Sequence, residues 1–350
     1  MAYSDIDDPS AYFQTALWTG DGNDNKQITN DGNSDLKPDL VWLKDRTQAE
    51  SHAWFDSSRG ASVRLQSNNT NAESTESATQ KSFTTDGFTV GTSSSVNNGS
   101  NPDQYAAWQW KANGGTTSTN TAGTINTTIQ TNTTAGFSIC THDGNGTAGA
   151  TFGHGLGVKP DFIIAKRRDG ITNWRCYHSD LGATKTILLN TTDASFDSSD
   201  SWNNTEPTST LVSVGSGSRT NATGSPILFY IFASKQGYSK FGSYVGNGNA
   251  NGTFVYTGFK PAMVITKKSS VTGGNWTIYD NKRNPFNVAD KVLLPNASNA
   301  DQTVINFDFV SNGFKCRNSG SENENGTTFI YMAFAENPFT TSTGIPTTAR

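Results

Sequence analysis

The chain has 350 residues, enough for two or three domains of ordinary size. Charged residues make up 16% of it, aromatic residues make up 11%, and the formal net charge at pH 7 is −4. A net negative chain without a basic block lacks the electrostatic footprint of a nucleic-acid-binding protein. No apolar run approaches the roughly 18 residues of a transmembrane helix, so membrane insertion is not expected.

Glycine, asparagine, serine and threonine are abundant, a mixture that favours short strands joined by turns over helices. The first residues, "MAYSDIDDPSAYF", have no basic start followed by an apolar stretch, so no secretory signal peptide is expected. The three cysteines, Cys140, Cys176 and Cys316, are odd in number and widely spaced. They predict no disulfide framework and fit folding in a reducing cytoplasm.

A nine-residue phrase occurs three times, as "LKPDLVWLK" (36–44), "VKPDFIIAK" (158–166) and "FKPAMVITK" (259–267). Before each phrase comes a glycine-rich turn, in "LWTGDGN", "ICTHDGNG" and "SYVGNGN". After it come an aromatic strand, an apolar strand ending in asparagine, and a closing aromatic strand. The aromatic strand begins 14 positions after the proline at His52 and Trp174, and 15 positions after it at Trp276. The chain therefore repeats one domain-sized unit three times.

We place the three units at residues 1–113, 114–236 and 237–350, and call them unit 1, unit 2 and unit 3. The segment "GGTTSTNTAGTINTTIQTNTT" (114–134) has the composition of a linker. Its two isoleucines would equally suit an edge strand, so both interpretations stay open. The third unit ends in a short C-terminal tail.

In each repeated phrase the proline is expected to start an inner strand, since its ring fixes φ and extends the residue before it. Alternation puts large apolar residues on one face, which we take as core, and smaller, mixed residues on the other. The core-face residues are Leu40, Trp42, Phe162, Ile164, Met263 and Ile265; those of the opposite face are Val41, Leu43, Ile163, Ala165, Val264 and Thr266. The closing lysines, Lys44, Lys166 and Lys267, are expected to mark where each strand returns to water.

Asp-Gly in "FTTDGFTVG" (83–91) and Asn-Gly in "FVSNGFKCR" (309–317) predict tight hairpins. Unit 2 lacks such a dipeptide in "STLVSVGSG", so its hairpin is expected to differ. No segment has sustained helical periodicity, and each unit has about seven short strands. The fold class expected is all-β, with three tandem β-sandwich domains of jelly-roll or lectin-like type.

No residue pattern predicts catalysis strongly. His52 falls in the slot that Trp174 and Trp276 fill, which indicates packing. Cys176 and His178 would share one face of a strand, and a Cys–His nucleophile is conceivable. However, Trp54 and Ile278 occupy the slot of Cys176 in the other units, so packing is the stronger interpretation.

Metal, phosphate and glycosidase sites are also weakly supported. His142 and His154 have no ligand cluster around them. The acidic turns "DGNDN" (21–25) and "DGNG" (143–146) lack the full calcium-loop pattern, and "GNGNANG" (246–252) lacks a phosphate-loop lysine. A glycosidase needs two carboxylates. Asp56 and Asp280 match between units, but unit 2 has His178 there. Trp108 and Trp110 suit a core better than a sugar platform. We therefore predict no catalytic, cofactor or metal residue and no cofactor.

The landmarks "YVGNGNANGTFVYTGFKPAMVITKK…NWTIYD", "SNGFK", "YMAFAENPF…PTTAR", "FGHGLGVKPDFIIAKRRDG" and "DLVWLKDR…FDSSRGA" resemble repeated β-rich structural proteins of tailed bacteriophages of marine bacteria and cyanobacteria. The resemblance covers nearly the whole chain and brings no catalytic residues. It implies a non-enzymatic virion protein, usually described as tail-fibre or lectin-like.

From this resemblance we expect a tail-fibre or receptor-binding protein that contacts host surface polysaccharide. The alternative is a head decoration or tail adaptor protein, because no fibre shaft is visible; a polysaccharide depolymerase has the least support. Expected partners are other virion proteins and further copies of the chain, with a trimer favoured. The protein would be made in the host cytoplasm and reside in the virion.

Overall fold

A computed structural model describes residues 3–100 and 103–347, and nearly every regular element in it is a β-strand. In unit 1 a six-stranded sheet of order β1-β9-β3-β4-β5-β6 faces a three-stranded sheet of order β2-β8-β7. The elements are a 3₁₀ turn at Pro9–Ala11, β1 (Phe13–Thr19), β2 (Lys26–Ile28), β3 (Leu40–Asp45), β4 (Ala53–Asp56), β5 (Gly60–Leu65), β6 (Ser74–Thr75), β7 (Gln80–Thr84), β8 (Gly87–Val90), α1 (Ser94–Asn97) and β9 (Gln104–Trp110).

Unit 2 has an eight-stranded sheet of order β10-β11-β12-β19-β14-β15-β16-β17 and a two-stranded sheet of β13 and β18. The elements are β10 (Ser118–Asn120), β11 (Thr127–Asn132), β12 (Phe137–Asp143), β13 (Ala150–Gly153), β14 (Phe162–Arg167), β15 (Arg175–His178), β16 (Lys185–Leu188), β17 (Phe196–Asp197), α2 (Ser199–Trp202), β18 (Leu211–Val214) and β19 (Pro226–Phe232). The segment 114–134, left open as linker or edge strand, therefore contributes two strands, β10 and β11, to one side of the sheet.

Unit 3 has two four-stranded sheets, of order β20-β27-β22-β23 and β21-β26-β25-β24. The elements are β20 (Ser239–Val245), β21 (Phe254–Tyr256), β22 (Phe259–Lys268), β23 (Trp276–Asp280), β24 (Ala289–Val292), β25 (Gln302–Val310), β26 (Gly313–Cys316), a 3₁₀ turn at Ser321–Asn323 and β27 (Thr328–Pro338). The all-β, sandwich-type fold class is confirmed. Among the described residues, no helix is long and apolar enough to span a membrane.

The predicted hairpins form, but the glycine of each dipeptide begins the second strand and does not lie within the turn. β7 and β8 pair up to Thr84 and Gly87, so Thr85 and Asp86 make the turn and the glycine begins the next strand. Gly87 has φ +102°, and a Cβ there would collide with the carbonyl oxygen of Ile28. Unit 2 differs as expected, because β18 pairs with β13 in a sheet of two strands.

The two faces of each repeated strand enter two different cores. The large apolar face, including Trp42, Ile164 and Ile265, joins one central cluster to which all three units contribute. The opposite face packs between the two sheets of its own unit, as Val41, Ile163 and Val264 do. Each unit thus has its own sandwich core, and a fourth, tryptophan-rich core lies where the three units meet.

The lysines that close the repeated phrase are buried, so the expectation that they return the strand to water is wrong. Lys44 donates to the carbonyl oxygens of Asp45 and Gln48, and Lys267 donates to that of Gly274 at 2.6 Å. Burial lowers the pKa of all three, Lys44, Lys166 and Lys267, to about 8. Their role is to satisfy loop carbonyls that the fold removes from water.

His52, Trp174 and Trp276 occupy the same position of the repeat, and the side chain at this position joins each unit to its neighbour. Trp174 Nε1 donates to the Gln66 carbonyl of unit 1 at 3.0 Å, and Trp276 Nε1 donates to the Leu188 carbonyl of unit 2 at 2.8 Å.

In unit 1, His52 Nδ1 accepts from Trp42 Nε1 at 2.8 Å, which leaves Nε2 to carry the proton. Nε2 lies 3.0 Å from the Leu294 carbonyl of unit 3. The histidine therefore makes the contact that tryptophan makes in the other two units, and the three junctions close a ring. Burial holds the pKa of His52 well below its usual range, as this neutral role requires.

Candidate functional site

The glycine-rich turns are held by protein groups. In each unit a buried asparagine follows a residue of the turn by 76 positions. The pairs are Asp21 with Asn97, Asn145 with Asn221, and Asn247 with Asn323. The amide nitrogen of Asn221 donates to the Thr147 and Gly215 carbonyls at 3.0 Å each, and its oxygen accepts from the turn backbone. In the described chain, no group of three or more His, Cys, Asp or Glu side chains could hold a metal ion.

The candidate nucleophile residues lie in packing positions. Cys176 is fully buried in the central cluster, and burial raises the pKa of its thiol. His178 shares that face, as the alternation predicted, and stacks edge-on against Phe162 with ring centroids 5.7 Å apart. All three cysteines are free and buried. A buried thiol with a raised pKa is a poor nucleophile.

His142 and His154 are also buried, and burial lowers the pKa of each to about 4. His142 lies against Phe152 and Phe229, with centroids 4.9 and 5.1 Å away. His154 Nδ1 accepts from the Leu156 amide at 3.3 Å. Both are neutral packing histidines in the structure.

Asp56 and Asp280 lie at two junctions between units. Asp56 pairs with Arg59 at 2.5 Å and accepts from the Tyr230 hydroxyl of unit 2 at 2.7 Å. Both carboxylates are fully buried and paired, which is unlike the accessible acid of a glycosidase.

At the junction of units 3 and 1, Asp280 pairs with Arg283 at 2.6 Å and accepts from Trp108 Nε1 at 3.1 Å. At the third junction the position is His178, whose Nε2 lies 3.4 Å from the Tyr331 carbonyl of unit 3. The strand register gives unit 3 Met332 at the position of Tyr230 and Trp108. Methionine has no proton to donate, so a carboxylate there would lose a partner. This junction also has Leu181 in the place of Arg59 and Arg283, so a carboxylate at position 178 would lack both its charged partner and its donor from the next unit.

The strongest candidate for a ligand-binding site is a polar cleft between the two sheets of unit 3, with a volume of about 210 Å³. Hydroxyl, amide and carboxyl groups share its walls with apolar side chains. Its lining includes Thr266, Lys268, Asn275, Thr277, Tyr279, Val292, Leu294, Gln302, Asn306, Ser321, Glu322 and Phe329. We call this the unit 3 cleft.

Glu322 is the side chain that distinguishes this cleft. It is 6% exposed, and its Oε2 atom has no hydrogen-bond partner within the described chain. Its backbone is fixed, since the Tyr244 hydroxyl donates to the Glu322 carbonyl at 2.8 Å. Burial raises the pKa of Glu322 from its ordinary 4.5 to about 7. A nearly buried carboxyl with a free oxygen in a cleft is equipped to bind a polar ligand.

Neighbouring polar groups in the cleft are already ordered. The hydroxyls of Thr266 and Thr277 lie 2.8 Å apart, and the Tyr279 hydroxyl accepts from the Asn306 amide. At the mouth Lys268 pairs with Glu324 at 2.5 Å. Glu322 is the one carboxylate among the described lining residues, so the cleft lacks the acid pair of a glycosidase.

The corresponding positions carry different side chains in the other two units. Glu322 comes directly before Asn323, the buried asparagine that holds the turn of unit 3. The residue at the same position is Val96 in unit 1 and Thr220 in unit 2, both fully buried. The strand register also equates Thr277 with Ala53 in unit 1 and with Arg175 in unit 2. Arg175 lies with its Cζ 5.1 Å from the ring centroid of Phe196. Unit 3 therefore differs by having a hydroxyl at Thr277, where the other units have alanine and arginine, and an acid at Glu322, where they have valine and threonine.

Sequence reasoning missed Glu322. The signal was available in the constant spacing of 76 residues between the turn and its asparagine. That alignment places a glutamate where the other units have valine and threonine.

Comparison with known families gives one match. Residues 8–338 match the family described as "Domain of unknown function (DUF7483)". The chain belongs to this family. The matched region spans all three units, in agreement with the core they share. Comparison with curated proteins finds no match, and comparison with solved structures finds none either.

We expect Glu322→Val to stabilise the protein by roughly 1–3 kcal/mol at pH 8, because it removes a buried carboxyl with an unpaired oxygen. The folded state binds the Glu322 proton more tightly than the unfolded state does. Its contribution to stability is thus full below about pH 4.5, falls as pH rises to about 7 and stays low above that.

Urea unfolding at pH 4 and pH 8 measures this difference. Val96 shows that the repeat tolerates valine at this position, and Glu322→Gln serves as the control that keeps the volume. A variant no more stable than the wild type at pH 8 would contradict the expectation.

Proposed function

We propose that the protein is a non-enzymatic structural protein of a phage virion, in which the unit 3 cleft binds host surface polysaccharide. A tail-fibre or receptor-binding component fits this role best. The observation that carries the proposal is the cleft itself, with an unpartnered Glu322 oxygen beside ordered hydroxyl and amide groups. The phage role rests on the resemblance given above.

The chemistry of the cleft suits one sugar residue. Carboxyl, amide and hydroxyl groups can donate to and accept from the hydroxyls of a sugar ring. Phe329, Val292 and Leu294 supply apolar surface for its C–H faces. A cleft of about 210 Å³ is smaller than a typical drug-sized site, which favours a single ring or chain end over a long oligosaccharide.

Adsorption to host cells tests the receptor-binding role. Purified protein should bind host cells, and antibodies raised against it should block infection. If the protein does not adsorb and the antibodies leave infection unchanged, the proposed role is wrong.

The second candidate is a head decoration or tail adaptor protein, favoured by the central core that joins the three units into one block. Antibody labelling of intact particles separates the two roles, since labelling confined to the head surface supports decoration. In either role the proposed partners are other virion proteins and further copies of the chain, with a trimer favoured. Release of oligosaccharides from host polysaccharide would instead support a depolymerase.

A further inference from the structure

One long side of unit 3 is open. β20 is the edge strand of one sheet, and β21 is the edge strand of the facing sheet. The two edges flank a groove, bridged where Lys240 Nζ donates to the Tyr256 carbonyl at 3.0 Å. An open strand edge presents unpaired N–H and C=O groups to any extended chain that reaches it.

The same side of unit 2 is covered by the chain itself. β11 pairs with β12 from Thr128 opposite Thr141 to Asn132 opposite Phe137. On the facing sheet Ile125 forms a bridge with Phe152. The segment of β10 and β11 therefore closes both edges of unit 2.

No described residue covers unit 3 in this way. The sheet register equates Ser239 with Phe137, and hence Ser243 with Thr141. Only residues 233–238 connect β19 to β20, too few to form a covering hairpin like that of β10 and β11. The open side is thus the position that a strand occupies in the neighbouring unit.

The backbone of β20 is oriented for an added strand. The backbone N–H and C=O of Ser239 bond to Lys235, and the Phe241 N–H donates to Ser234 Oγ at 3.4 Å. The backbone polar groups of both residues therefore point away from β27. Alternation along a strand directs the N–H and C=O of Ser243 to the same side. Beyond Phe241 no described strand pairs with that side.

The side chains around the groove are unusually apolar for an edge. Val245, Phe254 and Tyr256 are 54%, 45% and 55% exposed. The equivalents of the two aromatic residues in unit 2 are Thr151 and Gly153, which the covering segment contacts. Exposed apolar clusters on a protein surface mark interaction sites.

We propose that the open side of unit 3 is a docking site for an extended strand of a different protein. The strand adds to β20 as β11 adds to β12, and packs apolar side chains over Phe254 and Tyr256. The added strand carries a carboxylate beside Lys240. Lys240 makes no ion pair within the described chain. β20 and β21 contain no acidic residue. Asp180 of unit 2 also lines the groove but forms no ion pair with Lys240. A second copy that paired through its own β20 or β21 would bring no acidic residue of those strands to Lys240, which favours a different protein.

The position of the carboxylate follows from unit 2. Lys240 corresponds to Ser138, which pairs with Thr131 of the covering strand. Thr131 Oγ1 lies 2.7 Å from Ser138 Oγ and 3.2 Å from the His154 carbonyl. An acidic residue at the position of Thr131 in an added strand would therefore lie next to Lys240.

A synthetic peptide of residues 118–134 and its Thr131→Glu form are the probes, titrated into the full-length protein. Amide hydrogen exchange and calorimetry report binding. We expect both peptides to protect the amides of β20, and the Glu form to bind about fivefold tighter, as for a partly exposed ion pair. Lys240→Gln should remove that advantage. Ser243→Pro should abolish binding of both peptides while keeping the β20–β27 ladder, and Ser243→Thr is the matched control.

Absence of binding at millimolar peptide, or equal binding to Ser243→Pro, overturns the proposal. Unfolding transitions of the variants confirm that each remains folded. If the free protein forms dimers that Ser243→Pro dissociates, a second copy occupies the edge and the different-protein proposal is wrong. The docking site does not depend on the polysaccharide role of the cleft.

Discussion

Asp56→Ala is expected to lower the free energy of unfolding by about 3–5 kcal/mol, because it leaves the guanidinium of Arg59 buried without its main counter-charge. Both side chains of the pair are fully buried. Burial alone lowers the pKa of Arg59, but the charge of Asp56 raises it above the ordinary value. The change also removes the acceptor of the Tyr230 hydroxyl. Urea unfolding followed by fluorescence measures the loss.

The third junction supplies the control. The triple variant Asp56→His, Arg59→Leu and Tyr230→Met gives the junction of units 1 and 2 the residue types of His178, Leu181 and Met332. Because no buried charge then lacks a partner, we expect it to lose less stability than Asp56→Ala alone. A triple variant less stable than the single variant would show that the junctions are not interchangeable.

Trp276→Ala is expected to cost about 3–5 kcal/mol, since it opens a cavity in the central cluster. It also removes the donor to the Leu188 carbonyl, one of the three contacts that close the ring. Because the cluster is shared, the variant should unfold in one transition shifted to lower denaturant, with fluorescence and circular dichroism coinciding.

Two further variants distinguish the cost of the cavity from the cost of the lost hydrogen bond at Trp276. Trp276→Phe keeps much of the ring volume but leaves the carbonyl unpaired, for an expected loss of about 1–3 kcal/mol. Trp18→Phe is the control, since Trp18 is half-buried and its Nε1 donates to Val96 within unit 1. A Trp276→Ala variant in which unit 3 unfolds separately would contradict a ring held by one core.

Much of the strand pattern was predictable, because alternation and turn residues are local signals. The core face of the repeated strand was predicted correctly at Trp42 and Ile164, which lie in the central cluster. That this cluster joins three units was not predictable, since apolar alternation does not tell which surface a face will meet. The lysines were misjudged for a related reason. Lys44 ends its strand, but the loop that follows folds back and supplies the carbonyls that bury it.

The cleft was harder to predict than the fold. Glu322 lies in a 3₁₀ turn, where no periodic pattern predicts burial, and its neighbours in the cleft come from several strands, such as that of Thr277, 45 residues earlier. Glu322 becomes conspicuous only when the three units are aligned on the buried asparagine that holds each glycine-rich turn. The two exposed aromatic residues of β21 were likewise inconspicuous, because their significance rests on the segment that covers β13 in unit 2.

Calorimetric titration of purified host surface polysaccharide into the wild-type protein and the Glu322→Val variant tests the central proposal most directly. We expect saturable binding by the wild type and at least about a tenfold loss in the variant, equivalent to about 1.4 kcal/mol. The variant should be folded and no less stable, so a loss of binding would report the cleft alone. Equal binding by both proteins, or none by the wild type, would contradict a polysaccharide site in the unit 3 cleft.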